Sequence, residues 1–173
     1  MITHLTTQQE MSSRFKKIFL GFSIALPFLL YCVYYYSMMV KNAPYKFAEF
    51  NGIVLKAGLG NKYEKFYNSQ TQIYQYKNTN DSTLKIKVKF TKDDLLYLHH
   101  KAVELGFWNW PSKMLGPDSL TSPRYYLEYD YQHKKKIIEI DGSYYSNDKL
   151  KDAALRLIKA VDQNISDAKD RGK

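Results

Sequence analysis

Ile18–Val40 reads IFLGFSIALPFLLYCVYYYSMMV, and no residue in it carries a charge. As a helix its roughly 23 residues rise about 1.5 Å each, giving about 34 Å against a bilayer core of about 30 Å. Beyond Val40 the chain is polar and patterned. The stretch therefore divides the chain into a short tail at 1–17, a transmembrane anchor at 18–40 and one globular domain at 41–173.

Three other readings of the stretch fit the residues less well. A buried helix of a soluble protein would be shorter or interrupted by polar residues. A cleaved signal peptide needs a shorter apolar run and a small-x-small site, and the nearest candidate, Ala43, is followed by Pro44 and preceded by Lys41. Leu29-Leu30-Tyr31-Cys32 loosely resembles a bacterial lipobox, but Tyr31 is too bulky for its position and the chain stays apolar after Cys32. An uncleaved single-pass anchor is the expectation. Pro27 removes one backbone hydrogen bond in mid-span, and Tyr34, Tyr35 and Tyr36 suit an interfacial belt. Arg14, Lys16 and Lys17 crowd the N-terminal flank, whereas Lys41 and Lys46 are more widely spaced. This predicts a cytoplasmic tail and an extracytoplasmic domain, in a bacterial periplasm or at the cell exterior.

Of the 26 basic and 17 acidic residues, three and one precede the anchor, which leaves 23 and 16 and a net charge of +7 for residues 41–173. That charge suits solubility and leaves anionic lipid or nucleic acid as secondary partners. The one cysteine, Cys32, lies in the anchor, so the domain has no disulfide, no thiol nucleophile and no cysteine metal site.

The domain alternates between strand and helix signals. Phe50–Ala57, Lys62–Tyr67 and Thr71–Lys77 read as strands, separated by turn chemistry at Gly58-Leu59-Gly60-Asn61 and at residues 78–81. Leu84, Ile86, Val88 and Phe90 alternate with Lys85, Lys87 and Lys89, predicting one apolar and one basic strand face. Thr91 and Asp94 form a capping-box pair ahead of a helical stripe, Leu95, Leu98, Ala102 and Leu105, which Gly106 stops. Phe107–Pro123 is a long loop. Tyr125–Tyr131 and Ile138–Asp141 make a hairpin. Asn147 or Asp148 caps a final helix whose stripe runs from Leu150 to Ile165. The expected fold is α+β, an N-terminal transmembrane helix followed by an antiparallel sheet with two helices packed on one face, in the order strands, helix, hairpin, helix.

Chemistry-bearing motifs are sparse. Gly58-Leu59-Gly60 lacks the later Gly-Lys-Ser/Thr of a phosphate loop and the third glycine of a dinucleotide fingerprint. His99 and His100 point about 100° apart on a helix and suit no shared metal, with His99 toward the core. Asp118, Ser119 and a histidine, His99 or His133, would make a hydrolase if the fold joined them, although no nucleophile elbow surrounds Ser119. Lys85, Lys87 and Lys89 either contact phosphates or pair across strands with Glu128, Asp130, Glu139 and Asp141. Trp108 and Trp110 either bind a partner or plug the end of the core.

These readings predict a non-catalytic, accessory or immunity-type domain that binds a protein near the membrane, without metal or cofactor. The candidate binding residues are Trp108, Trp110, Lys85, Lys87 and Lys89. A membrane-anchored hydrolase is the alternative, and anionic-lipid or nucleic-acid binding by the basic face is a weaker one.

Overall fold

The apolar stretch folds as α1, Ser13–Lys41, with Pro27 inside it. Residues 13–41, 45–78 and 81–172 are described in this computed structural model. Most of the tail, the connector at 42–44 and the centre of the 78–81 turn lie outside them. Arg14–Tyr36 is long and apolar enough to cross a membrane, and none of its most apolar window is buried by the rest of the protein. The chain divides after Pro44.

The unit from Tyr45 is built on one seven-stranded sheet. Its strands are β1 Phe50–Leu59, β2 Lys62–Asn68, β3 Ile73–Lys77, β4 Thr83–Lys87, β5 Lys113–Met114, β6 Pro123–Tyr131 and β7 Lys135–Asp141. They lie in the order β4-β3-β2-β1-β6-β7-β5. Consecutive hairpins generate β1 to β4 and β6 with β7, all antiparallel, while β5 joins β7 in parallel. Helices α2, Lys92–Glu104, and α3, Asp148–Arg171, complete the α+β fold.

Period-two alternation sets the faces. Leu55 lies opposite both Tyr67 and Leu127, and Ile53 opposite Tyr129, so the inner residues of β1, β2 and β6 form continuous rows. These rows, Ile138 and Ile140 of β7, and the buried stripes of both helices form a single core. Both helices thus cover one sheet face. Buried tyrosines in this core need acceptors for their hydroxyls. Tyr67 donates to the Val88 carbonyl at 3.2 Å and Tyr129 to the Leu98 carbonyl at 3.1 Å, which ties the sheet to the chain entering α2 and to α2 itself.

Local signals place the helices. Thr91 and Asp94 close the capping box, with Asp94 N donating to Thr91 Oγ1 at 3.1 Å and Thr91 N to Asp94 Oδ2 at 2.8 Å. Gly106 adopts φ +74° just past α2, where a side chain would be strained. Asn147, not Asp148, caps α3, accepting from Leu150 N at 3.0 Å.

Three expectations need correction. The lysine-bearing strand stops at Lys87 and not at Phe90. Val88 and Phe90 both turn into the core, and Val88 N donates to the Gln72 carbonyl at 2.8 Å. The loop from Phe107 is partly ordered by a 3-10 turn at Phe107–Asn109 and by β5. Finally, β4 is an edge strand separated from β6 by three others, so Lys85 and Lys87 share a face with Glu128, Asp130 and Glu139 but do not pair with them. Glu128 instead meets Lys135 at 3.2 Å, and Glu139 meets Arg124 at 2.9 Å.

Candidate functional site

The sheet has two ends, and they differ. One end gathers the start of β1, the finish of β2, β4 and β6, and the turn into β7. The other gathers the β1–β2 turn, the start of β6 and the finish of β7.

The first end is closed by aromatic residues. Trp108 stacks on Tyr45 with centroids 3.8 Å apart, and Tyr131 packs against both rings. Trp110 is only 7 % exposed and meets Phe107 edge-on, while its carbonyl accepts from Lys136 Nζ. The two tryptophans therefore plug the core. Nε1 of Trp108 is buried with no hydrogen-bond partner among the described residues. His99 is buried in the same cluster, with its Nδ1 2.8 Å from the Tyr131 hydroxyl and the rings of Phe47 and Phe50 within 6 Å. Burial, and then the charge of His100, holds its imidazole below the ordinary histidine range. The physical consequence is a neutral, packed histidine.

Asp118 and Ser119 sit at the other end. Their loop packs on the β1–β2 turn, where Gly60 N donates to the Ser122 carbonyl at 3.0 Å. Strand β6 runs from Pro123 beside this loop to Tyr131 beside His99, and His133 follows Tyr131. Eight residue steps of about 3.3 Å place the two groups roughly 26 Å apart. Neither histidine shares a substrate with Asp118 or Ser119.

Asp141 also departs from its sequence-based place. It is fully buried and accepts from Gly116 N at 3.0 Å, Ser143 N at 2.8 Å and Ser143 Oγ at 2.7 Å. It anchors the loop before β6 and the turn after β7, and is no surface partner for lysine.

An open groove lies at this second end, between α3 and the inner sheet face. Ala57 faces Lys65 on one side and Tyr125 on the other. Its missing volume leaves a hollow of about 320 Å³, walled by Leu55, Leu155 and Ile158. The hollow shares Ala57, Lys65 and Tyr125 with a second of about 430 Å³ that runs to Leu59 and Pro123. Lys65 bridges the rim to Asp162 at 3.7 Å, with both side chains about half exposed. Such a solvated pair contributes little, so opening the rim costs little. Beyond it Leu59 is 54 % and Leu120 68 % exposed. A Cβ on Gly60 would stand 2.0 Å from the Leu120 carbonyl oxygen, so the two leucine-bearing turns are in direct contact. The floor is apolar and the rim carries Lys65, Lys159, Asp162 and Glu64. This arrangement suits an apolar segment with polar flanks, and it presents no nucleophile–base pair.

The three predicted lysines lie at the edge of the sheet. Lys87 and Lys89 line an open cleft of about 730 Å³ with Gln72, Thr91 and Arg171. Lys85 lies two residues earlier on β4, opposite Gln75 of β3. They are separate from the tryptophans, so the predicted binding residues do not form one site. Sequence reasoning missed the groove. Its available signal was a leucine inside each of two turn-rich strings, Leu59 in GLGN and Leu120 in DSLTS.

No group of three or more histidine, cysteine or carboxylate residues suited to a metal occurs among the described residues. Neither a protein-family model nor a curated protein matches the chain.

Proposed function

We propose that this chain is a single-pass membrane protein whose domain, outside the cytoplasm, is a non-catalytic binding module for a protein partner held near the membrane. Accessory and immunity-type roles are of this kind. The anchor is α1. A helix apolar on all sides, with none of that surface covered by protein, is best accommodated by lipid. The flanking charges favour a cytoplasmic tail.

The groove beside α3 carries the binding proposal. Its apolar floor, weakly held rim and exposed leucines fit an apolar segment of a partner, which buries its surface at little cost in polar desolvation. The hydrolase alternative lacks support because its residues sit at opposite ends of β6.

Photo-crosslinkers at Leu155 and Leu120 in membranes should give one discrete adduct, and Leu155→Arg should abolish crosslinking from Leu120. A crosslinker at buried Trp110 should give none. Absence of any discrete adduct from both groove positions, or an adduct indifferent to Leu155→Arg, would count against the proposal. Protease protection with tags at both termini tests orientation.

A further inference from the structure

We propose that the end of the sheet bearing Tyr45 is a docking surface for an anionic phospholipid headgroup layer. The inference rests on the single-pass reading and is independent of the groove. Four sequence positions separate Lys41, the last residue of α1, from Tyr45. Four residues reach at most about 14 Å, so a membrane that holds α1 lies within reach of this end of the domain.

The charges at this end are arranged for such a surface. Lys46 precedes β1, Lys87 ends β4, Lys89 follows it, and Lys134 sits in the β6–β7 turn. All four are exposed, and none has a carboxylate within 4.0 Å among the described residues. From β4 to β6 is four strand spacings, about 19 Å, so the cations spread along a line wide enough for several headgroups. Acidic groups nearby are largely engaged. Asp130 accepts from Asn51 and Gln70, and Asp94 is held by the cap and by Arg171. Glu49 and Asp93 remain. Lys134 also lies 3.8 Å above the Tyr45 ring, beside the point where the chain enters the domain.

The opposite end also bears an exposed lysine, Lys62, but the neighbouring cations there are paired, Lys65 with Asp162 among them. There Lys77 meets Asp81 and Glu64, and Arg124 meets Glu139. The same comparison favours lipid over a nucleic-acid strand. Single strands are held by exposed aromatic rings as well as by cations. The exposed aromatics of the domain among the described residues are Tyr63, Tyr97 and Tyr145. Tyr63 and Tyr145 belong to the opposite end, and Tyr97 lines a cleft between α2 and α3. Lipid headgroups need only the cations, each of which adds to the attraction within a Debye length.

The test uses the full chain in nanodiscs of phosphatidylcholine, with and without about one third phosphatidylglycerol. Amide hydrogen exchange is followed in peptides covering 86–91 and 131–135. At low salt, exchange there should slow at least about threefold in the anionic discs, and the effect should vanish near 1 M salt. Lys46→Gln/Lys87→Gln/Lys89→Gln should remove the slowing, whereas Lys62→Gln at the opposite end should leave it. Equal exchange in both discs, or slowing untouched by the triple variant, overturns the proposal. So does equal slowing by an oligonucleotide added to neutral discs, which would assign the surface to phosphate polymers. Retention of the chain in washed discs separates the two claims. Retention without lipid dependence sinks this inference alone, and failure of retention sinks the anchor reading together with it.

Discussion

Asp141→Ala is the most informative single substitution. The buried carboxylate accepts three hydrogen bonds, from Gly116 N at 3.0 Å, Ser143 N at 2.8 Å and Ser143 Oγ at 2.7 Å. A bond to a charged acceptor is worth about 1.5–3 kcal/mol, and a donor left unpaired loses its desolvation cost as well. Gly116 and Ser143 are only partly buried, so water recovers some of this. A loss of about 3 kcal/mol is the working figure, and for a domain of this size it lowers Tm by about 10 °C. The assay is thermal unfolding of the full chain in mild detergent, followed by near-ultraviolet circular dichroism. Asp130→Ala is the matched control. Asp130 lies on the same strand pair, but its two partners, Asn51 and Gln70, are exposed, so its loss should cost under about 0.5 kcal/mol. Ser143→Ala removes only the hydroxyl bond and should fall between them, near 1 kcal/mol. If Asp141→Ala and Asp130→Ala destabilise equally, the carboxylate does not hold the two segments together and the reasoning fails.

His99 supplies a pH prediction. Burial lowers its pKa below 6.5 in the folded state, so the unfolded chain binds the extra proton. His99 should therefore subtract stability as pH falls from 6.5 toward the folded value, with no further change below it; His99→Gln, which keeps an acceptor near Tyr131, should flatten that part of a urea Cm-against-pH curve. Gly60→Ala places a side chain at φ +55° and 2.0 Å from the Leu120 carbonyl, and should cost at least about 2 kcal/mol in a denaturant titration. Thr91→Ala removes one arm of the capping box and should cost about 1 kcal/mol by the same measurement.

Much of the fold was legible because it rests on local chemistry. The charge-free run at Ile18–Val40, the Thr91–Asp94 cap, the Gly106 stop and the tyrosine alternation from Tyr125 each act within a few residues, and each appears in the structure. What was not legible depends on which strands become neighbours. Lys85 and Lys87 look like partners for Glu128 and Glu139 until the strand order puts three strands between β4 and β6. Asp141 continues the alternation of Glu139, yet the loop at Gly116 folds over it and buries it. The groove is harder still. It exists because Ala57 is small between Lys65 and Tyr125 where the middle of α3, at Leu155 and Ile158, crosses them, and no local pattern records that meeting.

The same strand order gives the two ends of the sheet different surfaces. At the end where the chain enters, Tyr45, Trp108 and Tyr131 close the core, so their aromatic surface is spent on packing. The exposed lysines Lys46, Lys87, Lys89 and Lys134 face outward there, and charge suits a fluid lipid surface that needs no fixed geometry. At the other end the β1–β2 turn and the Pro117–Ser122 loop support each other through Gly60, which holds Leu59 and Leu120 at fixed positions beside the groove. Fixed apolar groups over a preformed hollow suit a partner of defined shape. The ten residues of β1 span this distance, roughly 30 Å at about 3.3 Å each. A protein engaged at the groove would thus leave the lysines at the Tyr45 end free for lipid. That independence makes Leu155→Arg and the triple lysine variant separable in one protein: each should abolish its own interaction and leave the other unchanged.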